Sequence, residues 1–170
     1  SIIRNNSFSK NRDAIDVDIG TSIIRHNIIK NSLDDGIDLG AADDVLIDEN
    51  FIFSSGDKAV SVGEKSKVLI SKNFIESNNM GIGSKDGSIT KLYKNIFINN
   101  FVAVNSYKKS NLADNILPVK GQSYFFLNKT DYKSEGAELS SNINDNNFIL
   151  DQIDKDKVDI RRLEIMKLFK

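Results

Sequence analysis

The sequence contains no cysteine, a single proline and a single histidine among its 170 residues. The lack of cysteine excludes disulfide bonds, cysteine-ligated zinc and thiol catalysis. Because His26 is the sole histidine and no G-x-S-x-G segment is present, we do not expect a histidine-activated serine nucleophile. No apolar run approaches the roughly 18 residues that a membrane-spanning helix needs, so no membrane insertion is expected.

The chain also lacks an overall charge of either sign, since its formal net charge is −1. The composition therefore gives no reason to expect a nucleic-acid partner. Along the chain the charge is nevertheless uneven: residues 1–50 carry ten acids and five bases, residues 51–110 four acids and nine bases, and residues 111–170 ten acids and nine bases. The chain starts at Ser1 within a patterned segment, and we interpret it as a piece of a longer protein whose remaining domains are its partners.

What the sequence does have is a repeat. An asparagine recurs at intervals of 21 to 23 residues, with an apolar residue three positions before it and another two positions after it. The apolar residues alternate with a period of two, which indicates short strands rather than helices. The recurring asparagines are Asn6, Asn27, Asn50, Asn73 and Asn95.

A period near 22 built from short strands is typical of a solenoid. We therefore predict an all-β fold, a right-handed single-stranded parallel β-helix of about 5–6 coils, each of roughly 21–23 residues. The apolar columns would fill its interior, and the five asparagines would form a hydrogen-bonded ladder at a buried turn. The predicted domains are β-helix repeats in residues 1–110, a last irregular coil in 111–145 with a strand near 119–127, and a C-terminal cap in 146–170, irregular or helical.

The repeats, such as SIIRNNSFSKNRDAIDVDIG at 1–20 and VLISKNFIESNNMGIGSKDGSIT at 68–90, resemble the parallel β-helix repeats of the pectin-lyase-like superfamily. The resemblance covers about residues 1–110 and implies the fold, but the superfamily includes lyases, hydrolases, epimerases, phage tailspikes, adhesins and spacers. Because such repeats occur in bacterial surface and periplasmic proteins, the resemblance implies a secreted, periplasmic or cell-surface location.

One segment bears on hydrolase activity. GDKAVSVG at 56–63 is similar to the G-D-D-C-I-S-I segment of polygalacturonases, which carries catalytic acids, but Lys58 stands at the second acid. The later G-H-G and R-I-K motifs of those enzymes are missing from the sequence. These departures argue against a polygalacturonase-like site.

Acids are concentrated in the first two coils, where Asp16 and Asp38 should lie one coil apart, at about 5 Å. Close carboxylates suit acid–base chemistry or a hard cation, so Asp16, Asp38 and Asp35 are candidate catalytic residues of a polysaccharide lyase or glycoside hydrolase. Solvated acids on an exposed wall explain the same pattern. No cofactor is expected other than calcium, whose candidate ligands are Asp13, Asp16, Asp35 and Asp38.

The lysines of the middle coils form a second candidate site. A stacked lysine array could bind an anionic polysaccharide, and nearby tyrosines could stack on sugar rings. An ordinary solvated face is the alternative. The candidate carbohydrate-binding residues are Lys58, Lys72, Lys85, Tyr93 and Tyr107.

We therefore expect a β-helix module of a larger secreted or cell-surface protein that interacts with carbohydrate or acts as a rigid spacer, and catalysis is not the favoured interpretation. A polysaccharide lyase or glycoside hydrolase that uses the acids of the first coils is the first alternative. The second alternative is a tailspike-like assembly part that forms an oligomer through its C-terminal segment.

Overall fold

The computed structural model describes residues 1–109 and 119–134, together with the backbone of residues 148–149. Apart from those two residues, the cap predicted in residues 146–170 lies outside the described residues, as does much of the last coil predicted in residues 111–145.

The described residues form strands and turns, as the alternation of apolar residues predicts. The strands are β1 (Ile2–Arg4), β2 (Ser7–Ser9), β3 (Ile15–Gly20), β4 (Ile23–Arg25), β5 (Ile28–Lys30), β6 (Ile37–Ala42), β7 (Val45–Asp48), β8 (Phe51–Phe53), β9 (Lys58–Gly63), β10 (Lys67–Ser71), β11 (Phe74–Glu76), β12 (Met80–Lys85), β13 (Ile89–Ile98), β14 (Val102–Tyr107), β15 (Lys120–Phe126), β16 (Thr130–Ser134) and β17 (Phe148–Ile149).

In the described part of the chain the strands form two sheets, and all of their pairings are parallel. The six-stranded sheet has the order β16-β14-β12-β9-β6-β3. The larger sheet has a first arm, β1-β4-β7-β10, and a second arm, β2-β5-β8-β11, and both arms end on the long strand β13. Each of the first four coils thus contributes one strand to each arm and one to the six-stranded sheet, and in the fifth coil β13 continues both arms. The predicted all-β parallel β-helix is confirmed.

The register follows the repeat. In the first arm and β13, Ile24 pairs with Ile47, Ile47 with Ile70, and Ile70 with Leu92. All four side chains are buried in one continuous core. Each removes apolar surface from water and stabilises the fold by roughly 1.5–3 kcal/mol, which fixes which face of each strand points inward.

The asparagine column forms a ladder at the turn between the two arms. The Oδ1 atom of Asn50 accepts the backbone N–H of Asn27 at 2.9 Å, and Asn73 does the same for Asn50 at 2.8 Å. The ladder begins at Asn6 and continues through Asn95, whose backbone N–H reaches the hydroxyl of Ser123. These bonds satisfy backbone and side-chain groups that would otherwise be buried without partners.

A second ladder occupies the turn between the second arm and the six-stranded sheet. The backbone N–H of Ser55 donates to Oδ1 of Asn78, that of Asn78 to Asn100, and that of Asn100 to Asn128, at 2.9 to 3.0 Å. Both ladders hold their turns in one conformation from coil to coil, so the outward side chains of adjacent strands stay aligned.

Candidate functional site

The outward face of the six-stranded sheet carries most of the candidate residues. Asp16 of β3 pairs in register with Asp38 of β6, and Asp38 pairs with Ser61 of β9. Their neighbours Ile15 and Ile37 are buried in the core, so the alternation turns these polar residues outward. Within the described residues the outward column contains Asp16, Asp38, Ser61, Gly83, Asn105 and Lys133.

A groove of about 760 Å³ lies at the carboxyl ends of these strands, and we call it the outer groove. Its lining comes from β3, β6, β9 and β12 and from the segments that follow β9, β12 and β14. Its acids are Asp18, Asp38, Glu64 and Asp86, its lysines are Lys65, Lys85 and Lys109, and its remaining lining residues are Leu39, Gly40 and Gly63.

Lys85 lies flat on the sheet in this groove. A Cβ atom at Gly63 would lie only 2.6 Å from Cε of Lys85, so the glycine leaves space for the aliphatic part of the lysine. The Nζ atom donates a hydrogen bond to Oγ of Ser61 at 2.8 Å. Burial lowers the pKa of Lys85; the negative charge of Asp38 opposes this shift, and the positive charge of Lys58 adds to it.

The acidic part of the groove is formed over a second glycine. The point where a Cβ atom of Gly40 would lie is 2.5 Å from Oδ1 of Asp18 and 3.5 Å from Oε2 of Glu64, so both carboxylates face the same space. Desolvation raises the pKa of the nearby Asp16, and the negative charges of Asp18 and Asp38 raise it further. The outer groove therefore brings several carboxylates and lysine ammonium groups to one open surface.

Lys58, predicted as a carbohydrate-binding residue, lies buried in an ion pair. Its Nζ atom is 3.4 Å from Oδ1 of Asp35 and also contacts the carboxylate of Asp57. Burial raises the pKa of Asp35, and the positive charge of Lys58 opposes that shift. The same Oδ1 accepts the backbone N–H of Lys58, and Asp13 accepts that of Asp35, each at 2.9 Å. Asp13 and Asp35 thus bridge adjacent coils much as the asparagines do.

The four predicted calcium ligands separate into two groups. Asp13 and Asp35 come together with Asp34, and ligand atoms of these three lie within 4.8 Å of one another. Asp16 and Asp38 lie in the neighbouring outward column instead. The ammonium group of Lys58 lies near Asp35, so the protein itself supplies positive charge to this cluster of three carboxylates.

The predicted carbohydrate-binding residues also divide between two surfaces. Lys85 and Tyr107 lie with Lys58 on the six-stranded sheet. Lys72 and Tyr93 lie beside the first ladder instead. There the Nζ atom of Lys72 is 3.6 Å from Oε1 of Glu49, and the ring of Tyr93 contacts Lys94.

His26 lies beside the first ladder, away from the outer groove. Its Nε2 atom is 2.6 Å from Oε2 of Glu49, and Arg25 and Lys72 also approach that carboxylate. Burial opposes ionisation of Glu49, but the hydrogen bond with His26 and the charges of Lys72 and Arg25 lower its pKa overall. The histidine is therefore part of an ion-pair network between neighbouring coils.

Five charged residues of the outer groove were not among the candidate site residues predicted from the sequence. The available signal was their position in polar turns or at the ends of outward columns. The repeat predicts where turns occur, but not which side chains of successive turns converge. These residues are Asp18, Glu64, Lys65, Asp86 and Lys109.

The fold and this surface define a parallel β-helix protein with a polar groove that crosses successive coils. The family model described as "Periplasmic copper-binding protein (NosD)" matches residues 1–149, so the chain belongs to the NosD family. No curated protein and no solved structure matches the chain.

The family match confirms the expected parallel β-helix repeat protein, and its periplasmic description agrees with the predicted location outside the cytoplasm. In the residues that the structure describes, no helix combines the length and apolar character needed to cross a membrane.

Proposed function

We propose that this periplasmic β-helix module binds carbohydrate in the outer groove. The observation that supports this function is the arrangement of carboxylates and lysines above a floor that includes Gly40 and Gly63. These side chains offer charged hydrogen-bond acceptors and donors, which suit the hydroxyl groups and charged substituents of sugars.

The shape of the outer groove favours an extended ligand. Its lining runs from Asp18 in the first coil to Lys109 in the fifth, which corresponds to about 20 Å along the solenoid. An extended polysaccharide can contact several coils at once, whereas a compact small molecule would use only part of this surface.

A panel of soluble polysaccharides tests the proposal, with binding measured by calorimetry. We expect at least one polymer to bind, and we expect Asp38→Ala and Lys85→Ala to weaken binding by about tenfold or more. Lys91→Ala, in β13 and outside the outer groove, should leave the affinity unchanged. If no polymer binds, the rigid spacer becomes the better description of this module.

Asp16 and Asp38 favour a second candidate function, a polysaccharide lyase or glycoside hydrolase. They stand in register on adjacent strands, and desolvation followed by neighbouring negative charge raises the pKa of Asp16. The same polymer panel, assayed for new reducing ends and unsaturated products with and without calcium, tests this function. Cleavage that is lost in Asp38→Asn would support the enzyme, and binding without any cleavage would exclude it for those polymers.

The copper named in the family description does not fit the donor groups of this chain. Copper sites in proteins use thiolate and thioether ligands for Cu(I), and imidazole nitrogens, with oxygen ligands beside them, for Cu(II). The sequence has one histidine, two methionines and no cysteine, and His26 is already bonded to Glu49. Met80 begins β12 on the six-stranded sheet, whereas His26 lies between β4 and β5. We therefore assign no role to copper in this module.

The tailspike-like alternative depends on a C-terminal segment that lies largely outside the described residues. An oligomer formed through that segment remains a prediction, and sedimentation of the full chain tests it.

A further inference from the structure

The outer groove separates its two signs of charge along the solenoid. Three of its acids, Asp18, Asp38 and Glu64, come from the first three coils. Its lysines, Lys65, Lys85 and Lys109, come from the third to the fifth coil. The fourth acid is Asp86, which lies among the lysines and accepts the backbone N–H of Lys109 at 2.8 Å.

Four charged side chains of the outer groove lack an ion-pair partner within the described residues, unlike several charged groups elsewhere on the protein. Away from the groove, Lys67 pairs with Asp43 at 3.0 Å, and Lys58 pairs with Asp35. Within the described residues, no ion pair involves Asp18, Asp38 or Glu64. The Nζ atom of Lys85 bonds to the neutral hydroxyl of Ser61, and no described carboxylate pairs with it.

The two signs of charge are nevertheless close together. Asp38 and Ser61 stand in register on adjacent strands, which places them about 5 Å apart. Because the ammonium group of Lys85 bonds to Ser61, it lies over the strand next to that of Asp38. A ligand that complements both ends of the groove must therefore carry opposite charges on the same sugar residue or on neighbouring ones.

We infer that the outer groove prefers a zwitterionic glycan, with its ammonium group on Asp18, Asp38 and Glu64 and its carboxylate on Lys85 and Lys109. This inference rests on the proposed function and names the ligand class for the same site. A polyanion would place negative charge beside the three acids, and a polycation would place positive charge beside the lysines, so each is disfavoured by repulsion.

Four disaccharides that differ in their charged groups test the preference. Glucosaminyl-N-acetylmuramic acid carries an ammonium and a carboxylate, N-acetylglucosaminyl-N-acetylmuramic acid carries the carboxylate alone, glucosaminyl-N-acetylglucosamine carries the ammonium alone, and di-N-acetylchitobiose is neutral. Dissociation constants come from NMR titration of the full chain at low salt. We expect the zwitterion to bind about tenfold or more tightly than the neutral sugar, and more tightly than either singly charged one.

Two variants show which end of the groove binds the ammonium and which binds the carboxylate. Asp38→Asn should remove most of the affinity that the ammonium of the sugar adds. Lys85→Gln should remove most of the affinity that the carboxylate adds. Asp44→Asn and Lys91→Gln make the same changes of charge beside the first arm and should leave all four affinities unchanged. Circular dichroism and thermal unfolding show whether each variant is folded.

The outcomes separate this inference from the proposed function. Equal affinity for all four sugars, or tightest binding of a singly charged one, overturns the zwitterion preference and leaves carbohydrate binding in place. Binding of a polysaccharide but of none of the disaccharides also overturns the preference. If the control variants lose the affinity that the ammonium and the carboxylate add, the binding site does not lie in the outer groove. If neither the sugars nor the polymers bind, the proposed function itself is wrong.

Discussion

Lys58 is a charged residue that the fold buries. Its alternating sequence context predicts an outward side chain, and its stem does lie on the outer surface of the sheet, where a Cβ atom at Gly83 would be 2.7 Å from its Cδ. Only 6% of its surface is exposed, and its ammonium group compensates the buried carboxylate of Asp35. A partner of this kind cannot be removed without leaving an uncompensated buried charge.

We therefore predict that Lys58→Met destabilises the protein by about 3 kcal/mol at pH 7. The cost should decrease as the pH falls, because burial raises the folded-state pKa of Asp35 and the substitution removes the positive charge that opposes this shift. A group whose pKa is raised by folding favours the folded state at low pH, where it is protonated. Urea unfolding of the variant and of the wild type at pH 7 and pH 4.5 measures both effects.

Two controls accompany this variant. Asp57→Asn removes the half-exposed partner of Lys58 and should cost less than about 1 kcal/mol. The double variant Lys58→Met with Asp35→Asn removes both charges and should recover most of the lost stability, because the amide still accepts the backbone N–H of residue 58. A cost for Lys58→Met that is small at pH 7, or that increases on acidification, contradicts the argument.

At the scale of the structural element, the ladders explain how the short turns between strands keep one backbone conformation from coil to coil. The residue before each ladder asparagine has a left-handed backbone conformation, with φ of 54° at His26 and 53° at Glu49. Such a conformation is unfavourable for residues other than glycine. Each ladder side chain helps to offset this cost, because it bonds the backbone of the preceding coil.

Asn73→Ala in the middle of the first ladder should therefore cost about 3 kcal/mol. It removes the acceptor for the backbone and side chain of Asn50 and the donor to the carbonyl of Ile47, all of which are buried. Asn6→Ala at the exposed start of the ladder should cost less than about 1 kcal/mol. Denaturant unfolding monitored by circular dichroism measures the difference.

Asn73→Ser is the matched control for the ladder, because Ser123 already serves as an acceptor in this column. A hydroxyl at position 73 can accept the N–H of Asn50, so the serine variant should be more stable than the alanine variant. Equal losses at positions 6 and 73 would mean that the ladder adds little beyond the packing of the coils.

The first ladder and the apolar core were accessible from the sequence because each column keeps one kind of residue, asparagine or apolar, at intervals of 21 to 23 residues through five coils. The second ladder was not, because its column begins with Ser55 and then changes to asparagine. Its last step, from Asn100 to Asn128, is also 28 residues long. A mixed column with an irregular step gives no periodic signal even though its hydrogen bonds repeat in space.

The outer groove was predictable only in part for a related reason. The register of Asp16 and Asp38 follows from the repeat, and so does the position of Lys85 at a strand end. The convergence of Glu64 and Lys109 on the same surface depends on the path of two turns, which the period does not specify. The burial of Lys58 likewise depends on partners from neighbouring coils that alternation alone cannot identify.

At the scale of the whole molecule, the repeat distributes charge and donor atoms along an extended surface instead of around a deep cavity. The chain is acidic in residues 1–50 and basic in residues 51–110, and the outer groove crosses from one region to the other. Such a surface suits a ligand that is itself extended and polar. A copper site built from imidazole, thiolate or thioether ligands needs several of them at one point, and a chain with one histidine, two methionines and no cysteine has few to offer.

We therefore predict that copper will not be retained tightly by this chain, although it belongs to the NosD family. Protein loaded with one equivalent of Cu(II), or of Cu(I) under reducing conditions, should lose the metal on gel filtration with a mild chelator, and its Tm should match that of the metal-free chain. Any weak association through the imidazole should disappear in His26→Gln, whereas Lys91→Gln serves as a surface control. Retention of one copper per chain with a raised Tm would contradict the donor-set argument, and retention that persists in His26→Gln would show that the ligands come from other groups.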